Sequence, residues 1–208
     1  MTLELRWFFP GALPNAPRRW IDVVLPGPAV VPAARSDLYL VASGRDDVGL
    51  KLRERKLELK LRRRSAAFAG RNGSVSGVPE LWEKWMWSYD RETDVDAGFA
   101  RQARGLRLAV RKIRRRRKYE VRRGFALHPI DVEHEAERAV LVEVTDLVVL
   151  GRRFWTLGFD AIGPDRNVDT ILARAVEKLL AAFPRTPRLS SGRSFGYPDW
   201  VMRRLGKP

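Results

Sequence analysis

Cysteine is absent from this chain of 208 residues, and histidine occurs only twice. The first absence excludes disulfides, thiolate-bound zinc, iron–sulfur clusters and thiol nucleophiles together. The second leaves His128 and His134, whose separation fits no compact ligand motif and suits surface positions. Long hydrophobic runs are missing as well: the best stretch, Ala139–Leu150, carries Glu143 and Asp146. Glu4 and Pro10 near the start do not suit a secretory signal, so the expected location is cytoplasmic, with no membrane partner. Gly70, Gly73 and Gly77 lack the Gly-Lys-Ser/Thr ending of a P-loop. Ser190, Ser191 and Ser194 lack the Gly-x-Ser-x-Gly arrangement of a serine hydrolase.

Positive charge, by contrast, is abundant. Forty Lys and Arg stand against 25 Asp and Glu, a formal charge of +15. Residues 51–64 carry a net +6 and residues 101–123 a net +11, so two segments hold the whole imbalance. Arg outnumbers Lys about four to one, and its planar fork suits phosphate oxygens better than a point ammonium does. A polyanion partner follows: polyphosphate, a nucleoside triphosphate or nucleic acid. An Arg-rich solvated face is the bland alternative.

The apolar pattern is mostly that of strands. Met1–Phe9 alternates, with Leu3, Leu5 and Trp7 opposite Thr2, Glu4 and Arg6. In Val48–Arg64 the leucines change parity, from Leu50 and Leu52 to Leu57, Leu59 and Leu61. One straight strand would put these sets on opposite faces. A hairpin around Glu54-Arg55 unites them by pairing Arg53 with Lys56 and Lys51 with Glu58. Glu-Arg is poor chemistry for a type I′ turn, so a slightly longer loop is the alternative. Leu106–Tyr119 alternates and reads as a strand, although its Arg and Lys would also suit a helix. Asp37–Ser43, Ala139–Leu150 and Arg153–Ile162 read as strands, and Val168–Phe183 as a helix.

The length fits a single domain over 1–208. Its Pro-rich stretch at 10–35 predicts an irregular wrap around one short strand, Trp20–Leu25. Residues 66–104 read as a Trp-bearing insertion, with Trp82, Trp85, Met86 and Tyr89 on one face of a helix over Pro79–Tyr89 and an acidic loop at Asp90–Gly98. The tail at 185–208 reads as irregular, with Phe195, Tyr197 and Trp200 folded back.

Several strands set charged residues on one face and aliphatic residues on the other, and both signs recur. That suits an α+β protein in which a closed antiparallel sheet has a polar lumen and an apolar outer face under helices. Cations would clamp phosphates, while carboxylates would hold Mg²⁺ or Mn²⁺ through oxygen.

The layout resembles the triphosphate tunnel metalloenzymes, or CYTH superfamily. The family's opening Glu-x-Glu-x-Lys is matched at Thr2-Leu3-Glu4-Leu5-Arg6 by Glu4 alone. Its basic hairpin is similar to Leu50-Lys51-Leu52-Arg53 and Leu57-Glu58-Leu59-Lys60, and its Lys-x-Arg strand to Lys112-Ile113-Arg114. Its late acidic strands are similar to Leu141–Val144 and Trp155–Asp160. The resemblance implies a tunnel of about eight strands with peripheral helices that binds, and with metal hydrolyses, a triphosphate such as inorganic, nucleoside or thiamine triphosphate. It implies metal on Glu4, Glu143 and Asp160, and phosphate held by Arg6, Lys51, Arg53, Lys60, Arg62, Lys112 and Arg114. Glu4, Lys60 and Arg114 would then be catalytic. Loss of the first Glu leaves a phosphate-binding relative without hydrolysis as one alternative. A nucleic-acid binder led by Arg111–Lys118 is the other. The sequence leaves the oligomeric state open.

Overall fold

The computed structural model describes residues 1–41, 44–70, 73–88 and 107–205. Its strands are β1 (Thr2–Pro10), β2 (Ala33–Leu40), β3 (Val48–Arg53), β4 (Lys56–Ser65), β5 (Phe68–Ala69), β6 (Ser76–Gly77), β7 (Glu80–Ser88), β8 (Arg107–Val121), β9 (Leu127–Ile130), β10 (Ala139–Val149) and β11 (Arg152–Ile162). Its helices are α1 (Asn15–Arg19), α2 (Asp165–Leu180) and α3 (Tyr197–Leu205). Eight strands run in the order β10-β11-β1-β7-β4-β3-β2-β8, and β8 pairs back onto β10. The result is a closed antiparallel barrel with helices outside it, the α+β class expected. No helix among the described residues is long and apolar enough to cross a membrane.

Alternation along β1, β10 and β11 separates an apolar exterior layer from a polar lumen. Leu3, Leu5, Trp7 and Phe9 of β1 point outward and join Trp155, Leu157, Phe159 and Ala161 of β11 and Val140, Val142 and Val144 of β10. Over them lies α2, whose Val168, Ile171, Leu172, Ala175, Val176 and Leu179 recur at helical spacing on one buried stripe. The Pro-rich segment adds Leu13, Trp20, Ile21 and Leu25 to the same core. Its carbonyls have few backbone donors to meet. Arg117 supplies them from β8, donating to Ile21 and Asp22 carbonyls at 2.9 Å each and to that of Pro28. Tyr119 donates to the Pro26 carbonyl at 2.9 Å.

The β3–β4 hairpin has the expected register: Arg53 opposite Lys56, Leu52 opposite Leu57, Lys51 opposite Glu58 and Leu50 opposite Leu59. Its two turn residues, Glu54 (φ 47°) and Arg55 (φ 59°), both adopt the left-handed conformation. The tight turn therefore forms despite side chains that disfavour it.

Three local expectations are corrected. Residues 80–88 form strand β7, not a helix: Trp82 and Met86 lie on one face and Trp85 and Trp87 on the other, and β7 fills the gap between β1 and β4. Pairing on both sides overrides a helical spacing that Trp, a good strand former, satisfies only by coincidence. Tyr89 and the acidic loop at 90–98 lie outside the described residues. Trp20–Val24 is a π-helical turn continuing α1 rather than a strand, closed by the Leu25 amide on the Trp20 carbonyl at 2.9 Å. The tail is less irregular than expected, because it contains α3 and a 3₁₀ turn at Ser191–Arg193.

Candidate functional site

The lumen collects charged side chains from β1, β2, β3, β4, β7, β8, β10 and β11. On β1, Arg6 reaches across β11 to Glu143 of β10 at 3.0 Å, and it lies 3.5 Å from Asp160 of β11. Space for this buried guanidinium exists because residue 158 is glycine: a Cβ there would sit 2.6 Å from the Arg6 Cζ. Burial would lower the Arg6 pKa, but Glu143 and Asp160 outweigh it and raise it. The second Glu143 oxygen accepts from Arg114 of β8. Glu143 is accordingly held well below the usual carboxylate range, because Arg114 and Arg6 overcome its burial. Asp160 goes the other way: burial and the neighbouring Glu4 raise it to about 6 against the pull of Arg6.

A second cluster centres on Glu58 of β4. Lys51 approaches it to 2.7 Å, Lys84 to 3.3 Å and Arg53 to 3.4 Å. Burial alone would raise Glu58, yet Lys51 and Lys60 hold it at about 2. Lys51 itself is depressed to about 8, chiefly by burial, with Glu58 opposing. Lys60 crosses β7 to pair with Glu4, and Arg62 binds Glu80 at 2.8 Å and Asp46 at 2.9 Å. Burial lifts Glu80 to about 7, with Arg62 acting against it. Farther along the lumen, Lys112 lies 2.7 Å from Asp37, which also pairs with Arg35 at 3.1 Å.

Every residue expected to grip phosphate, namely Arg6, Lys51, Arg53, Lys60, Arg62, Lys112 and Arg114, is thus brought to this one interior. So are Glu4, Glu143 and Asp160. Sequence reasoning missed Arg35, Asp37 and Glu80. The Arg35-x-Asp37-x-Tyr39 alternation carries a signal for the first two, and reading 80–88 as a strand would have supplied the third. It also missed the role of Tyr197. The ring of Tyr197 lies 3.8 Å from the Lys112 ammonium, 5.2 Å from the Arg6 guanidinium and stacked on Tyr39. Its hydroxyl is buried without a partner. Beyond it, Phe8, Leu108, Val110, Leu147, Phe154 and Trp200 make one end of the lumen apolar. A small cavity bounded by Glu4, Lys51, Glu58, Lys60, Tyr197 and Pro198 among others measures about 30 Å³. That is room for water rather than for a phosphate chain.

The carboxylates expected to bind metal do not form a metal site as they stand. Glu143 is held by two arginines, Glu4 by Lys60, and the Arg6 guanidinium fills the space between Glu143 and Asp160. Among the described residues no group of three or more His, Cys, Asp or Glu is placed to hold an ion. The positive charge that a divalent ion would supply is supplied here by Arg6. His128 and His134 are both exposed, as expected.

No protein-family model matches the sequence, and no curated protein matches it. Solved structures of similar shape include a conserved hypothetical protein from Pyrococcus furiosus, at 11% identity and a TM-score of 0.49, covering 91% of this chain and 98% of that one. The PH1012 protein from Pyrococcus horikoshii OT3 aligns at 11% identity and a TM-score of 0.47, with 91% and 98% covered. The PH1819 protein from the same organism aligns at 13% identity and a TM-score of 0.47, with 98% and 99% covered.

Proposed function

We propose that the protein binds a short linear polyphosphate, either inorganic triphosphate or the triphosphate of a nucleotide, inside the barrel. The observation that carries this reading is the convergence of Arg6, Arg35, Lys51, Arg53, Lys60, Arg62, Lys112 and Arg114 on one enclosed lumen. Six carboxylates, Glu4, Asp37, Glu58, Glu80, Glu143 and Asp160, balance them incompletely. Binding exchanges carboxylate oxygens for phosphate oxygens on the same forked donors, and it requires the lumen to widen around the 30 Å³ that is open. The likeness to triphosphate tunnel metalloenzymes supports the ligand class. The arrangement around Arg6 argues for binding without metal-dependent hydrolysis, so no catalytic step is assigned to Glu4, Lys60 or Arg114.

A nucleic-acid groove is disfavoured by where the basic run goes. Of Arg111–Lys118, Lys112 and Arg114 face the lumen, Arg115 pairs with Asp22 and Asp146, and Arg116 pairs with Glu133. Arg117 and Lys118 bind backbone carbonyls. Only Arg111 is left without a polar partner among the described residues.

The test is thermal stabilisation by inorganic tripolyphosphate with and without Mg²⁺, beside phosphate release and a Lys60→Ala control. Stabilisation that needs no Mg²⁺, disappears in Lys60→Ala and brings no phosphate release is the expected result. Absence of stabilisation at millimolar ligand overturns the reading. Mg²⁺-dependent phosphate release that the control lacks would restore the hydrolase.

A further inference from the structure

A second anion-seeking site lies beyond the apolar end of the lumen and shares no lining residue with the charged cavity. It is an open cleft of about 570 Å³ between the end of β1, the start of β11, the 191–193 turn and α3. That volume falls within the roughly 300–1,000 Å³ range of small-molecule sites. Its floor is a fixed aromatic layer, with Trp200 stacked on Phe8 at 4.8 Å and meeting the edge of Phe154 at 5.4 Å.

Three arginines stand on this floor, and among the described residues no carboxylate lines the cleft. Arg203 is held by Asp199 through two hydrogen bonds of 2.6 and 3.1 Å. The side chains of Arg193 and Arg204 have no hydrogen-bond or ion-pair partner among the described residues, and the Arg204 Nε is buried without one. Their guanidinium groups rest on rings instead: Arg193 lies 5.6 Å from Phe9, and Arg204 lies 4.9 Å from Phe154 and 5.7 Å from Trp200. The lumen answers each of its cations with a carboxylate or a backbone oxygen, whereas this cleft leaves two unanswered. Burial and the charges of Arg152 and Arg203 also push the Arg204 pKa down, so a bound anion would relieve repulsion.

A guanidinium lying on a ring keeps its outer face for a second flat group and its edge for a forked anion. We propose that this cleft binds a small anion carrying a flat ring, of mononucleotide size, with its ring stacked on one guanidinium and its phosphate or carboxylate held by Arg193 and Arg204. The layered order would be protein ring, arginine, ligand ring.

Calorimetric titration with adenosine monophosphate tests this, beside inorganic phosphate and adenosine as the separated halves. The monophosphate is expected to bind at least tenfold more tightly than either half. An Arg193→Ala, Arg204→Ala double variant should lose at least tenfold in that affinity while keeping its tripolyphosphate stabilisation, which shows the variant folded. Lys60→Ala, which alters the lumen, should leave adenosine monophosphate binding intact. Equal affinity for phosphate and the monophosphate would reduce the cleft to a bare anion patch and overturn the proposal. Binding that survives the double variant, or that falls with Lys60→Ala, would overturn it too.

Discussion

Replacing Glu58 by Gln keeps the shape of the side chain and removes the one negative charge that Lys51, Arg53 and Lys84 share. In the folded protein Glu58 sits at about 2, against an ordinary value of 4.5. At about 1.4 kcal/mol per pH unit, that difference amounts to about 3 kcal/mol of folding stability at neutral pH. For a chain of this size the loss corresponds to a melting temperature lower by about 6–12 °C. The sign follows from proton counting. The folded state holds fewer protons on Glu58 than the unfolded chain between pH 2 and 4.5, so the contribution is complete above 4.5 and disappears as pH falls toward 2. The gap between parent and Glu58→Gln should therefore narrow from about 3 kcal/mol at pH 7 to about 1.4 kcal/mol at pH 3. The same substitution frees three cations for a ligand. Tripolyphosphate affinity should rise about tenfold or more, the order expected when a unit charge is removed from within a few ångströms of an anion. Urea titrations at the two pH values, with and without ligand, measure both effects. A variant that is as stable as the parent, or whose deficit is unchanged at pH 3, would refute the argument.

Glu54-Arg55→Asn-Gly, which suits two left-handed positions, should stabilise the protein by about 1 kcal/mol, seen as a higher urea midpoint at constant slope. At Gly196 a Cβ would stand 2.2 Å from a Glu80 oxygen and 2.9 Å from the Trp82 ring, so Gly196→Ala should cost about 1–3 kcal/mol by thermal melting. Glu80 reverses the behaviour of Glu58. Its folded value of about 7 lies above 4.5, so its contribution is present below 4.5 and is lost as pH rises toward and past 7. Glu80→Gln should flatten the decline in stability between pH 5 and 8, measured by melting temperature against pH.

The β3–β4 register was legible because five leucines of changing parity admit few arrangements once one face must be buried. The lumen was legible for the same reason: a charged residue at every second position on several strands needs a common polar interior. What the sequence concealed were facts of the partner rather than of the strand. Nothing in residues 80–88 announces neighbours on both sides, and aromatic residues at helical spacing fit either reading until β1 and β4 are placed. Arg6 is the clearest case at the site itself. Its type suggested a phosphate ligand, but its position between Glu143 and Asp160 depends on a glycine 152 residues later, at 158. Tyr197 was expected to fold back, but a tyrosine in a Pro- and Gly-rich tail carries no periodicity that would place it against Lys112 and Arg6.

Barrel closure also fixes the order in which the chain can finish folding. The neighbour of β1 on one side is β11, and the polar partners of Arg6 lie 137 to 154 residues downstream. During synthesis β1 therefore leaves the ribosome with both lateral edges bare and its arginine still hydrated, and β7 can cover one edge well before β11 covers the other. The edge that β11 covers stays bare until residues 152–162 have been made. Pairings this distant slow the search for the native state and prolong the life of open sheet edges. The hairpins β3–β4 and β10–β11, local in sequence, are the pieces able to form while β1 waits.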